Sequence, residues 1–223
     1  MSVKSNQNLP KKIWMGLVTF LSLVVCLLTW RVFISGDTVY QGVEIVMPYM
    51  KHQLETSAFS FFIHFIFAPL ALLVMPLQFM PVIRKKYIGL HRWLGRAYVI
   101  AVIFGGIGGM LMAFNTDSGQ ISAVGFGTLA FLWVLFTVLA WVAIRKKNID
   151  EHKRWMMRSA SLTFAAITLR IFTPIGLILD EAGLFPFTWT YIFVAWHWVI
   201  TWAVAEWWMA RYWPKRKAQA EAA

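Results

Sequence analysis

Residues 126–144, FGTLAFLWVLFTVLAWVAI, decide the class of this protein. The stretch carries no charge, and its Leu, Phe, Trp, Val and Ala residues follow one another without alternating polar and apolar positions. A strand of a membrane barrel alternates over about 10 residues, whereas a helix crosses the hydrocarbon core in about 20 residues. Lipid offers the backbone no hydrogen-bond partner, so a continuous apolar run must satisfy its own N–H and C=O groups. The run is therefore predicted to be a transmembrane helix.

Working outward, other apolar runs bounded by charges or turn residues predict spans near 13–35, 57–80, 91–114, 121–144, 156–179 and 186–210. The expected fold is all-α: an integral membrane bundle of six helices. No extramembrane segment is long enough for a second domain, so residues 1–223 form one transmembrane domain on this reading. Composition agrees, with 59% hydrophobic and 14% charged residues and a mean hydropathy of +0.62. A net charge of +11 suits nucleic acid only on a polar surface, which this chain lacks; membrane lipids are the expected partners and nucleic acid is excluded.

The positive charges are unevenly placed. Lys4, Lys11, Lys12, Arg84–Lys86, Arg92, Arg145–Lys147, Lys153, Arg154, Arg158, Arg211 and Lys215–Lys217 fall on one side, against Lys51 alone on the other. Asp37, Glu44, Glu55, Asp117, Asp180 and Glu181 share the side of Lys51. Basic connections stay in the cytoplasm, which places both termini there. The first apolar run follows a basic start but exceeds a signal peptide's apolar region and has no A-x-A site, so it reads as a retained helix. The connection 36–56 is expected to hold a short interfacial helix, and the tail PKRKAQAEAA to be disordered. Cys26 has no second cysteine to pair with and reads as packing.

Ionisable groups inside spans are costly, so they face partners and become candidates for function. Here they are His64, Arg96, Arg170, His197 and Glu206. Counting at 1.5 Å per residue, His64 lies about 10 Å and His197 about 16 Å from the same side, while His91 and His152 sit at the opposite edge. The histidines thus sort into an outer pair, His64 with His197, and an inner pair, His91 with His152. Two imidazoles at one depth, flanked by aromatics and by arginines for the propionates, make a site for haem iron. The candidate metal ligands are these four histidines, with Arg170, Arg96 and Arg158 as further cofactor-binding residues. Packing histidines that make ordinary hydrogen bonds are the alternative.

Arg170 has no acid nearby along its helix and needs an anion or several oxygen acceptors: a propionate, a lipid phosphate, a quinone carbonyl or unwound backbone. Glu206 lies at the depth of Arg96 and Arg158 and is predicted to pair with one of them. HRWLGR (91–96) and HKRWMMR (152–158) both give a histidine, a tryptophan and an arginine three residues after it, as a repeated collar or as common interface chemistry. Pro69, Pro76 and Pro174 are expected to interrupt helices two and five, and FGGIGG (104–109) to permit close helix packing. No phosphate loop, zinc spacing, nucleophile elbow or paired-carboxylate site is present, which excludes the common hydrolytic classes.

HFIFAPLALLVMPLQF (64–79), LHRWLGRAYV (90–99) and EHKRWMMRSASLTFAAITLR (151–170) together resemble a bacterial family of predicted multi-pass membrane proteins, domain-of-unknown-function family 2306. The resemblance covers about 57–210 and implies a polytopic protein of the bacterial inner membrane, with no activity attached. A weaker similarity is to cytochrome b561, in which an opening like LHRWLG carries a haem-ligating histidine, here His91. That family pairs ligands on helices two with four and three with five. The fourth span here has no histidine, so His197 of the sixth would have to substitute.

Two functions follow. One is an electron-transfer protein, a possible membrane oxidoreductase component, binding haem b through these histidines and exchanging electrons with quinone or another redox partner. The other is a haem-free protein that binds or transports a lipid or small amphiphile, or serves as an accessory subunit of a membrane complex.

Overall fold

The computed structural model describes residues 9–36, 38–46 and 50–221; Lys4 and Asp37, which enter the charge asymmetry, lie outside these. The chain runs α1 (Leu9–Trp30), a 3-10 turn (Arg31–Phe33), α2 (Val39–Val46), α3 (Lys51–Phe79), α4 (Pro81–Lys86), α5 (Ile88–Phe114), α6 (Gln120–Arg145), α7 (Ile149–Glu181), α8 (Phe187–Trp196) and α9 (Trp198–Glu221). Among the described residues there is no strand. Five segments of the described residues are long and apolar enough to cross a membrane: Lys12–Phe33, Lys51–Phe79, Ile88–Phe114, Gln120–Arg145 and Ile149–Glu181. Phe20, Ile100 and Phe131 lie exposed on these segments, as suits helices bathed in hydrocarbon. The protein is an all-α membrane protein, and its chain divides into two compact units at Gly108/Gly109.

In the first unit α1 packs on α3. The two prolines of α3 do not end it; its only irregular backbone is a kink at Ser57 (φ −144°, ψ 39°). The expectation that Pro69 and Pro76 interrupt the helix therefore fails, and a neighbouring helix shows why at Pro69. Pro69 has no N–H to offer the carbonyl of Phe65, four residues earlier. The indole of Trp30 on α1 donates to that carbonyl at 3.1 Å, and the thiol of Cys26 donates to the carbonyl of Pro69 at 3.0 Å. Pro174 is likewise carried inside α7.

The α5 helix meets α3 at backbone distance. A Cβ on Gly105 would lie 2.9 Å from the nitrogen of Ala68, and one on Gly108 would lie 2.8 Å from the nitrogen of His64. The glycines of FGGIGG thus serve close helix packing in this unit.

In the second unit α6 and α7 form the most extensive pairing. Asn148 caps α7 by accepting from the N–H of Glu151 at 3.1 Å and donating to its carboxylate at 2.9 Å. Between the helices, the indole of Trp133 donates to Thr163 at 2.8 Å and the hydroxyls of Thr137 and Ser159 meet at 2.7 Å. Thr163 also donates to the carbonyl of Ser159, and Thr137 to that of Trp133, which closes a buried ring of four side chains.

The sixth expected span differs from its prediction. Residues 187–221 form two helices, α8 and α9, with a break at His197. At the break His197 Nδ1 takes the carbonyl of Val194 at 2.6 Å, and the indole of Trp198 takes that of Ala195 at 2.9 Å. Side chains thus occupy carbonyls that a regular helix would give to its own amides. Beyond it α9 continues to Glu221, through a tail expected to be disordered; its Lys, Arg, Ala, Gln and Glu residues are good helix formers.

Candidate functional site

Along α7, residues 152, 155, 159 and 163 recur at helical spacing and turn toward α6. His152 Nδ1 meets the carbonyl of Ala140 on α6 at 2.9 Å. A carbonyl can only accept, so Nδ1 carries the ring proton in this arrangement. Above it, the ring of Trp155 stands 5.5 Å from that of Phe136, and the guanidinium of Arg158 lies 4.5 Å over Trp155.

Arg158 then reaches α9. Its Nε and Nη2 donate to the two carboxylate oxygens of Glu206, the second at 3.0 Å. The indole of Trp202, one turn before Glu206, donates to the same carboxylate at 2.9 Å. This is the ion pair expected from depth, with Arg158 as the partner. Trp202 also faces Phe136 at 5.6 Å and stacks at 6.2 Å on Trp198, which stacks at 6.1 Å on Trp196.

His197 is 2% exposed. Besides Val194, its ring meets the carbonyl of Ala165 on α7 through Nε2 at 2.9 Å. Both nitrogens thus face backbone oxygens. As arranged, His197 is a clasp between α7 and the α8–α9 break. Trp196 and Trp198 tie the same break to α6 through the carbonyls of Ile121 (3.1 Å) and Gly125 (3.2 Å).

In the first unit His64 is partly buried and its Nδ1 meets the carbonyl of Gly105 on α5 at 2.7 Å. His91 is partly buried in the first turn of α5, and Arg96, one turn further on, is exposed. Each pair expected to hold haem takes one histidine from each unit. Arg170, in the second unit, bends back to donate from Nη1 to the carbonyl of Ala166 at 3.1 Å. A backbone oxygen is thus one of its acceptors. Among the described residues no three or more His, Cys, Asp or Glu side chains gather in a form suited to a metal ion.

Sequence reasoning missed a groove between the last turn of α5 and the first turns of α6. It measures about 390 Å³ and is lined by Met110, Ala113, Phe114, Val124, Gly127 and Phe131, among others, with Thr128 its polar side chain. The signal was the run of small residues at 113, 123 and 127, which becomes a hollow once the two helices are known to be neighbours.

A family model described as a predicted membrane protein, DUF2306, matches residues 61–209, well over half of the chain. No curated protein and no solved structure matches it. The matched stretch holds His64, His91, Arg96, His152, Arg158, Arg170, His197 and Glu206. With the spans, the ion pair and this match in hand, the chain belongs to the DUF2306 family of predicted membrane proteins.

Proposed function

We propose that this protein, set in a bacterial inner membrane with both termini in the cytoplasm, binds the apolar part of a lipid or small amphiphile in the groove between α5 and α6. The groove carries the reading. Its volume of about 390 Å³ is within the range of small-molecule pockets, about 300–1,000 Å³. Its lining is apolar apart from Thr128, and the two helices that form it are long and apolar enough to cross a membrane. The asymmetry of Lys and Arg supports the orientation.

The test is native mass spectrometry of protein extracted in a mild detergent. Ala123→Leu with Gly127→Leu fills the groove and is expected to abolish retention of a co-purifying amphiphile while the protein stays folded. Gly127→Ala is the control, because a Cβ there meets nothing closer than Ala113 at 3.7 Å. Equal retention by the filled variant would overturn the reading.

A second reading, a b-type haem protein exchanging electrons with quinone, is supported by His152. With the proton of its ring on Nδ1 and directed at Ala140, Nε2 becomes the ligating atom, which is how metal-binding imidazoles are commonly held. His64 shares the Nδ1-to-carbonyl bond, and LHRWLG at His91 resembles cytochrome b561. Haem, when bound, would supply one-electron transfer. Among the arginines expected to meet propionates, Arg158 is already committed to Glu206. Purified protein expressed with ample haem should then show a Soret band and a dithionite-induced α band; their absence ends this reading.

A further inference from the structure

Residues 81–96, PVIRKKYIGLHRWLGR, comprise the connection between two helices long enough to cross a membrane and the first turns of the second, α5, so they lie about where hydrocarbon gives way to water. The segment is bare. The α4 helix has no buried residue, and from Pro81 to Arg96 only Ile83, His91, Leu94 and Gly95 are even partly covered. It carries Arg84, Lys85, Lys86, Arg92 and Arg96, while the chain has no Asp or Glu from residue 56 to residue 116. Among the described residues none of these five cations belongs to an ion pair.

Interleaved with the cations are exposed apolar side chains: Val82, Tyr87, Ile88, Leu90 and Trp93, the last 68% exposed. Tyr and Trp settle at the level of lipid headgroups, and a basic segment with such anchors binds at a bilayer surface. The basic connection that follows α6 is built differently. There Lys153 lies 3.5 Å from Asp150, Arg158 holds Glu206, and Arg154 lies 5.6 Å over the ring of Trp213. Three of that connection's six cations thus have partners within the protein, whereas in 81–96 Lys86 lies 5.5 Å over the ring of Tyr87 and, among the described residues, no carboxylate answers the charge, which calls for anions from outside.

We propose that residues 81–96 form a binding surface for the headgroups of anionic phospholipids, with the five cations meeting phosphate and Tyr87 and Trp93 fixing the depth. The surface is separate from the groove, which is lined from the other end of α5. Either can fail without the other.

The full-length protein is reconstituted in nanodiscs of equimolar phosphatidylglycerol and phosphatidylcholine, and the lipids that stay bound on release are counted by native mass spectrometry. Phosphatidylglycerol should be retained in several-fold excess. Lys85→Gln with Lys86→Gln, or Arg92→Gln with Arg96→Gln, should lower that excess by about five-fold or more, since each cation at a surface is worth about five-fold in anionic-lipid affinity. Lys153→Gln with Arg154→Gln, whose charges already meet Asp150 and the ring of Trp213, should change it much less. Retention in bulk proportion, or an equal loss from the 153/154 pair, overturns the proposal. Should the variants not insert, a salt series on the unaltered protein decides: the excess must shrink as the screening length falls from about 10 Å to about 3 Å. An excess indifferent to salt, or one displaced by inorganic phosphate at the same ionic strength, also refutes a lipid-headgroup surface.

Discussion

The indole of Trp30 donates to the carbonyl of Phe65, the group in that turn of α3 for which Pro69 has no N–H. Two residues far apart in sequence thus act as one device, a proline that strips a carbonyl of its partner and a tryptophan from the next helix that restores it. Trp30→Phe should lower stability by about 1–3 kcal/mol, the cost of an orphaned polar group. Adding Pro69→Ala returns an amide to α3 and should recover much of the loss. Thermal unfolding in detergent checks this, and strict additivity of the two changes would refute it.

Arg158 and Glu206 join α7 to α9 through two hydrogen bonds, with side chains 22% and 37% exposed. Because the pair is only partly buried, Arg158→Leu should cost about 1–3 kcal/mol, below the 3–5 kcal/mol of a fully buried pair. Glu206→Gln keeps an acceptor for Arg158 and for Trp202 and should cost less. A double-mutant cycle by chemical denaturation should return a positive coupling energy; a value near zero would leave the contact without energetic weight.

The ring of Trp133, Thr163, Ser159 and Thr137 closes the α6–α7 interface with hydrogen bonds inside a membrane protein. Such bonds are worth about 0.6 kcal/mol on average and up to about 1.7 kcal/mol. Thr137→Val and Ser159→Ala should each fall in that range, and the double variant should cost less than their sum, because both changes delete the same contact. Resistance to unfolding in mixed micelles gives the measurement.

His197→Leu should destabilise the second unit by about 1–3 kcal/mol, since the carbonyls of Ala165 and Val194 lose the ring that faces them. Trp198→Phe, which deprives Gly125 and Ala195, should add a comparable penalty. If the purified protein carries haem, its absorption bands should survive His197→Leu. Loss of the bands in a variant shown to be folded would restore His197 to the ligand set.

What the sequence disclosed, and what it hid, divides along a physical line. Five of the six expected spans were legible because hydrocarbon thickness fixes helix length, and the need of Glu206 for Arg96 or Arg158 was legible because a charge at that depth must find its counterpart at the same depth, while the choice of Arg158 came from the structure. Pro69 was misread, because whether a proline ends a helix depends on a donor from another helix, and nothing around residue 69 announces Trp30. The contacts of His197 were illegible for a related reason: its partners are backbone carbonyls, which every residue possesses and no sequence pattern marks. The groove was hidden in small residues whose meaning depends on which helix they face.

The contact of α5 with α3 sets the mutational tolerance of this stretch. Every amino acid but glycine brings a Cβ, so no missense change at 105 or 108 is conservative, however mild its chemistry. Gly16 and Gly89, with nothing within 4 Å of the place a Cβ would take, have no such restriction. A saturation library sorted for folded protein should therefore return glycine almost alone at 105 and 108 and a broad spectrum at 16 and 89, so that the helix-to-helix approach leaves its imprint in the survivors.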